Sequence, residues 1–352
     1  MIPAIVGLAG PSPTDEERRL FARLRPAGFI LFARNLEEPD QVRALTAELR
    51  ALAGRDRVPI LIDQEGGRVA RLAPPRWPAF PPAARFGAAY AAAPATAMAA
   101  ARANAQAIGT LLTGLGITVN CLPVLDVPQE GAHDVIGDRA FATDPLAVAA
   151  LGRAVLDGLQ AAGVVGVIKH VPGHGRATAD SHVELPIVSA PEAALETDLL
   201  PFHRLRDAPM AMTAHVLYPA WDAERSASVS PTILSRIVRG RIGFAGLLVS
   251  DDIGMQALAQ GPDGATLAAR ARAVVAAGCD LALHCSGDVA EAREVLEALP
   301  PMSEETWRRL AAAMAWAQGP ARWRTDDPPG SPPTLAELLD RRDRLLAEVG
   351  LA

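Results

Sequence analysis

Eight short runs rich in valine, isoleucine and leucine recur along this 352-residue chain, each followed by a longer segment with helical signals. They fall at 4–10, 28–33, 58–63, 117–126, 164–170, 210–216, 246–252 and 280–285. Between them stand helix starts such as Asp15-Glu16-Glu17 ahead of Leu20, Pro39-Asp40 ahead of Val42, and Pro191-Glu192. The runs are continuously apolar and do not alternate, as expected for strands buried on both faces of a parallel sheet covered by helices. Eight βα units predict an α/β fold, a (β/α)8 TIM-type barrel in a single domain.

The polar residues are placed unevenly. Asp63, Asp126, Lys169 with His170, His215, and Asp251 with Asp252 all stand at the C-terminal ends of their runs. In a barrel those ends form one mouth, while inward side chains lower down fill the interior. A catalytic barrel is expected over 1–325, with 326–352 forming a Pro-rich linker and an amphipathic helix at about 334–348 that packs on it.

Composition removes several function classes. Hydrophobic residues make up 50% of the chain, enough for a large core, so disorder is excluded as an overall reading. The net charge of −6, with Lys and Arg scattered, supplies no basic stripe for a phosphate backbone, and nucleic acid is not an expected partner. The N-terminal apolar run has neither a preceding positive region nor a cleavage site of small residues, and reads as the first strand. The Ala-rich stretch 88–108 carries Arg102, Asn104 and Gln106 and reads as an ordinary helix, so no membrane span is expected. Cys121, Cys279 and Cys285 are odd in number and form no CxxC pair, which fits a reducing cytoplasm and disfavours disulfides and zinc sites.

Four segments carry chemistry. Lys169 to Gly175, followed by Asp180-Ser181-His182, leaves a strand and runs into a loop whose glycines and proline permit tight turns. That loop can bring His174 and His182 over the mouth, the latter with a carboxylate at i−2. Asp251 follows a buried run and is the leading nucleophile candidate, whereas Asp252 should point elsewhere and make a structural hydrogen bond or cap a helix. Asp63 to Arg71 turns through Gly66-Gly67 and presents acids and guanidinium groups suited to a sugar's hydroxyls, with Glu65 the member most expected to be structural. Ile136-Gly137-Asp138-Arg139 offers Arg139 from the loop after the fourth run. His215 is read equally as pocket wall or satisfied core residue, and His133, His203 and His284 as structural.

Together these motifs, with Pro123 to Val127, Met212 to Val216, and Ser250-Asp251-Asp252 with Met255, closely resemble those of the NagZ-type β-N-acetylhexosaminidases of glycoside hydrolase family 3. The resemblance spans most of the chain and departs from the usual pattern at Val171, where many members carry Phe. It implies removal of terminal β-linked N-acetylglucosamine from muropeptide fragments or related oligosaccharides in cell-wall recycling, by a retaining mechanism without metal or organic cofactor. Carried over by motif, Asp251 would be nucleophile, His182 general acid/base and Asp180 its orienting partner. Asp63, Arg71, Arg139, Lys169 and His170 would hold the sugar. A monomer is expected. Two other classes remain open on the residues: a metal-dependent barrel hydrolase using His170, His174 and His182, and a sugar-binding barrel without turnover.

Overall fold

The side chains of each run alternate between two apolar compartments, and this alternation builds the barrel. Ile5, Leu61, Val167, Met210 and Val249 face one compartment; Ala4, Val6, Ile60, Ile62, Ile168 and Leu248 face the other, beneath the helices. The computed structural model describes residues 1–181, 183–259, 261, 264–318 and 332–351. Its barrel strands are β1 (Ile2–Val6), β2 (Pro26–Leu31), β3 (Ile60–Ile62), β4 (Val119–Asn120), β5 (Val165–Val171), β6 (Met210–Thr213), β7 (Leu247–Asp252) and β8 (Leu281–His284). All adjacent pairs are parallel, and β1 pairs with both β2 and β8, closing the ring.

The helices begin where the sequence signals them. Thr14 makes a capping box with Glu17 at the head of the helix Asp15–Leu24, and Pro39 opens the helix Pro39–Ala53. Leu310, Ala313 and Met314 of the helix Glu304–Trp316 join the interior cluster with Leu247 and Leu281, and so plug the N-terminal end of the barrel. The other end is left for the site.

The fourth run differs from expectation. Its regular ladder covers only Val119–Asn120: the backbone then turns on itself, with the Leu122 N–H bonding the Asn120 carbonyl, while the carbonyls of Leu122 and Pro123 still accept from Val167 and Lys169 of β5. The chain returns to β5 at Val124, opposite Lys169, so Asp126 sits in a loop and not at a strand end. The C-terminal helix, Leu335–Glu348, packs on the helix Pro94–Gly114. Its buried Arg342 bonds the Ala79 carbonyl and Asn104 and lies 5.9 Å from the Phe80 ring centroid. Most of the expected linker, 326–331, lies outside the described residues. Among the described residues no helix is long and apolar enough to cross a membrane.

Candidate active site

At the C-terminal mouth of the barrel lies a cavity of about 420 Å³, in the size range of small-molecule sites. Ile30, Met212 and Leu283, members of the interior cluster, form its apolar floor. Its walls hold Asp63, Arg71, Arg139, Lys169, His170 and Asp251, six of the eight residues expected to form the site.

The turn after β3 is fixed by residues whose role the sequence does not announce. Asn120 of β4 accepts the Gln64 N–H at 3.0 Å and donates to the Gln64 carbonyl at 2.9 Å. The Gln64 side chain in turn binds the backbone of Arg71 and Leu72. The chain reverses through Gly66, at φ +103°, where a Cβ would stand 2.4 Å from the Pro81 carbonyl oxygen. This closed turn delivers Asp63, Glu65 and Arg71 to one wall.

A charge network links them to β5. The ammonium of Lys169, a residue only 2% exposed, lies 3.0 Å from Asp63 Oδ1 and 2.6 Å from Glu65 Oε1. Arg139 grips Glu65 through two hydrogen bonds of 2.9 Å, and Arg71 Nη2 lies 3.3 Å from Asp63 Oδ2. Burial alone would raise both carboxyls, but Lys169 and the arginines hold Asp63 and Glu65 below the usual carboxylate range. Burial likewise works against the Lys169 ammonium, and the two carboxylates reverse it and raise its pKa. Glu65, expected to be structural, therefore both lines the cavity and ties two cations in place.

Asp126 orients the histidines. Its Oδ2 meets His170 Nδ1 at 2.7 Å, and its Oδ1 accepts the backbone N–H groups of His170 and His174 at 3.2 and 2.7 Å. Burial opposes its ionisation, yet His170 and these donors bring it down to about 2. A carboxylate at Nδ1 places a ring proton on that nitrogen and fixes the orientation of the His170 ring. His174 also lines the cavity; burial lowers it to about 4, so its ring is neutral. Asp126→Asn should destabilise the fold by about 1.5–3 kcal/mol, the range for a buried charge-assisted hydrogen bond, in a urea titration at pH 7. An unchanged midpoint would remove Asp126 from this role.

Asp251, in β7, has no ion-pair partner among the described residues. Its Oδ1 accepts the Asp252 N–H at 2.8 Å. Burial would raise its pKa, but His215, His170 and that N–H lower it, so the carboxylate is charged at neutral pH. Asp252 Oδ1 accepts from Gly254 and Cys285, the structural bonding expected of it, although the residue also borders the cavity. His215 is resolved as a core residue: its ring nitrogens meet Ser228 Oγ at 2.7 Å and the Asp252 carbonyl at 3.0 Å.

The loop after β5 is anchored at several points. Tyr218 donates to the Gly173 carbonyl at 2.6 Å, and Arg176 meets Asp198 at 2.6 Å. Ser181 borders the cavity and accepts the Ala257 N–H. Asp180 is half-buried, and its carbonyl accepts from Val183 and Glu184. Its carboxylate is not among the cavity's walls, and His182 lies outside the described residues. Phe32 and Cys285 also line the cavity; their position at the C-terminal ends of the apolar runs 28–33 and 280–285 was the signal available for them. Among the described residues no group of three or more His, Cys, Asp or Glu is placed to hold a metal ion.

Comparison with known proteins follows this geometry. Residues 4–313 match the glycosyl hydrolase family 3 N-terminal domain. The chain is 39% identical over 345 residues to the beta-hexosaminidase of Alkalilimnicola ehrlichii, covering 93% of this chain and 97% of that protein. It is also 39% identical to that of Chromobacterium violaceum, over 91% and 92% of the two chains. NagZ from Neisseria gonorrhoeae in complex with N-trifluoroacetyl-D-glucosamine superposes with a TM-score of 0.80 at 31% identity, covering 99% of this chain and 97% of that one. A family 3 beta-N-acetylglucosaminidase from a Paenibacillus species gives 0.83 at 31% identity over 99% of this chain, which spans 66% of that longer protein. An eight-stranded parallel barrel with this charged mouth, matched nearly end to end by such relatives, belongs to glycosyl hydrolase family 3 and is a glycoside hydrolase similar to its NagZ-type beta-hexosaminidases.

Proposed function

We propose that this chain is an exo-acting, retaining β-N-acetylglucosaminidase that removes terminal β-linked N-acetylglucosamine from muropeptide fragments during cell-wall recycling in the cytoplasm. The observation that carries the reading is an ionised carboxylate without an ion-pair partner among the described residues, Asp251, facing a cavity closed below by apolar side chains and ringed by paired charges. A closed floor admits one end of a glycan, which suits exo action. Asp63, Arg71, Arg139, Lys169 and His170 offer directed donors and acceptors for the hydroxyl and acetamido groups of that terminal sugar. All three cysteines are free, in keeping with a reducing compartment.

In the reaction, Asp251 attacks the anomeric carbon and the glycosidic bond breaks as His182 gives a proton to the departing oxygen. Asp180 orients the imidazole and stabilises its charge. His182 then takes a proton from water, which displaces Asp251 and restores the original configuration. No metal or organic cofactor takes part.

A 5-fluoro N-acetylglucosaminyl donor, which slows the second step more than the first, should leave one glycosylated peptide, and fragmentation should place the sugar on Asp251. Modification of Asp252, or inactivation without any mass shift, would refute the assignment. Comparing aryl glycosides of glucose and N-acetylglucosamine tests the sugar class separately; equal rates would refute it.

A further inference from the structure

Val135, Ile136 and Arg139 of the cavity wall come from the segment 127–139 after β4, whose one helical turn is Gly137–Arg139. The first half of that segment is tied to the loop after β5. There the Gln129 N–H bonds the Gly175 carbonyl at 3.0 Å, and the His133 N–H bonds the Ala177 carbonyl at 2.8 Å. The second half is gripped by a side chain from the turn after β3. Arg68 Nη2 donates to the carbonyls of Asp134, Val135 and Ile136 at 2.6, 3.1 and 3.1 Å. Its Nε lies 3.1 Å from Asp138 Oδ1 and its Nη1 3.6 Å from Asp134 Oδ2.

The two carboxylates are half-exposed or more, and such surface pairs contribute little. The carbonyls matter more, because three successive peptide dipoles converge on one cation and would oppose one another without it. The fit is close. Gly137 sits at φ +45°, and a Cβ there would stand 2.9 Å from Arg68 Nη2 and 2.4 Å from Asp134 Oδ1. The Val135 carbonyl is shared: Arg139 Nη1 also reaches it, at 3.2 Å, while the rest of the Arg139 fork holds Glu65. Arg68 itself is not among the walls of the cavity.

We propose that Arg68 is a positioning residue for the sugar site: it fixes the carbonyls of 134–136, and through them holds Arg139 in register with Glu65 and the bound sugar. The inference rests on the proposed glycosidase reading, in which Arg139 is one of the groups that hold that sugar.

Arg68→Gln removes the cation and its fork. On p-nitrophenyl N-acetylglucosaminide it should lower kcat/KM about tenfold, mainly through KM, with kcat changed by less than about threefold, as for a contact made equally to bound sugar and transition state. A merely structural role would shrink the folded fraction, lowering kcat and leaving KM unchanged. Arg68→Lys, which keeps a cation beneath the three carbonyls, should recover about threefold or more of the loss. Gly137→Ala, which crowds the guanidinium, should raise KM in the same way, and these two variants carry the test should Arg68→Gln fail to fold. In an Arg139→Gln background, Arg68→Gln should cost less than about twofold more, because its route runs through Arg139. Hydrogen exchange reads the clamp without turnover: the Arg139 and Ala140 amides, bonded to the Ile136 and Gly137 carbonyls, should exchange faster in Arg68→Gln. An undiminished loss in the Arg139→Gln background, or unchanged KM or unchanged exchange in Arg68→Gln, would overturn the proposal. Absence of wild-type activity on the aryl substrate would instead refute the glycosidase reading, with exchange still deciding the clamp.

Discussion

Asp251→Ala should lose about 10⁴-fold or more in kcat on every leaving group, while His182→Ala should lose activity selectively. The nucleophile is needed whatever departs, since no covalent intermediate forms without it. A general acid matters only where the departing oxygen needs a proton. With a sugar leaving group, His182→Ala should therefore slow glycosylation by about 10²–10⁴-fold, the usual range for positioned acid–base catalysis. With dinitrophenolate, which departs as an anion, glycosylation should be nearly unaffected and the second step should become limiting. The intermediate should then accumulate, and azide, which attacks without a base, should restore turnover and give a glycosyl azide. Asp180→Ala should show a milder form of the same pattern, because the imidazole remains but loses its orienting partner. Pre-steady-state bursts and product analysis measure these outcomes. Equal losses on both substrates without azide rescue would assign the loop histidine to binding or packing.

The second large effect concerns stability. Lys169→Met keeps much of the side-chain volume but leaves Asp63 and Glu65 buried side by side, short of their nearest cation. Breaking a buried pair from one side costs about 3–5 kcal/mol, so the denaturant midpoint at pH 7 should fall sharply. The pH dependence carries a sign. In the wild type, the folded-state pKa values of Asp63 and Glu65 are depressed, so their contribution is present above the unfolded values near 4 and is lost as pH falls through the folded values. Lys169 is raised, so its contribution is present below about 10.4 and is lost as pH rises through its folded value. Without Lys169 the two carboxyls should be depressed less. The variant should then lose less stability than the wild type between about pH 5 and pH 3. Parallel acid profiles for the two proteins would show that Lys169 does not set these carboxyls.

The barrel was legible because its cause is local and periodic. Each run had to bury both faces, and the polar residues at the run ends implied one chemical face. The run at 117–126 departs from a single regular strand for a physical reason: hydrophobicity continues through it, but the backbone turns on itself where the Leu122 N–H bonds the Asn120 carbonyl, and only the neighbouring strand β5 shows where the regular register resumes. The partners of Glu65, Lys169 and Arg139, stand 104 and 74 positions away in sequence, so only the fold shows that it ties two cations and lines the cavity as well.

By itself the sequence determined the order of βα units, the apolar runs, the helix caps, and the presence of Asp251, Lys169, His170 and Arg139 beside the mouth. These follow from hydrogen-bond geometry and burial acting over a few residues at a time. Only the tertiary structure decided which charge neutralises which, that Asp126 aligns two histidines, and that His215 spends both ring nitrogens in the core. Those outcomes depend on distances of 3–5 Å between segments far apart in the chain, and on how completely water is excluded between them. Ring closure sets both, bringing loops from separate βα units to one mouth where charges must be paired within the protein.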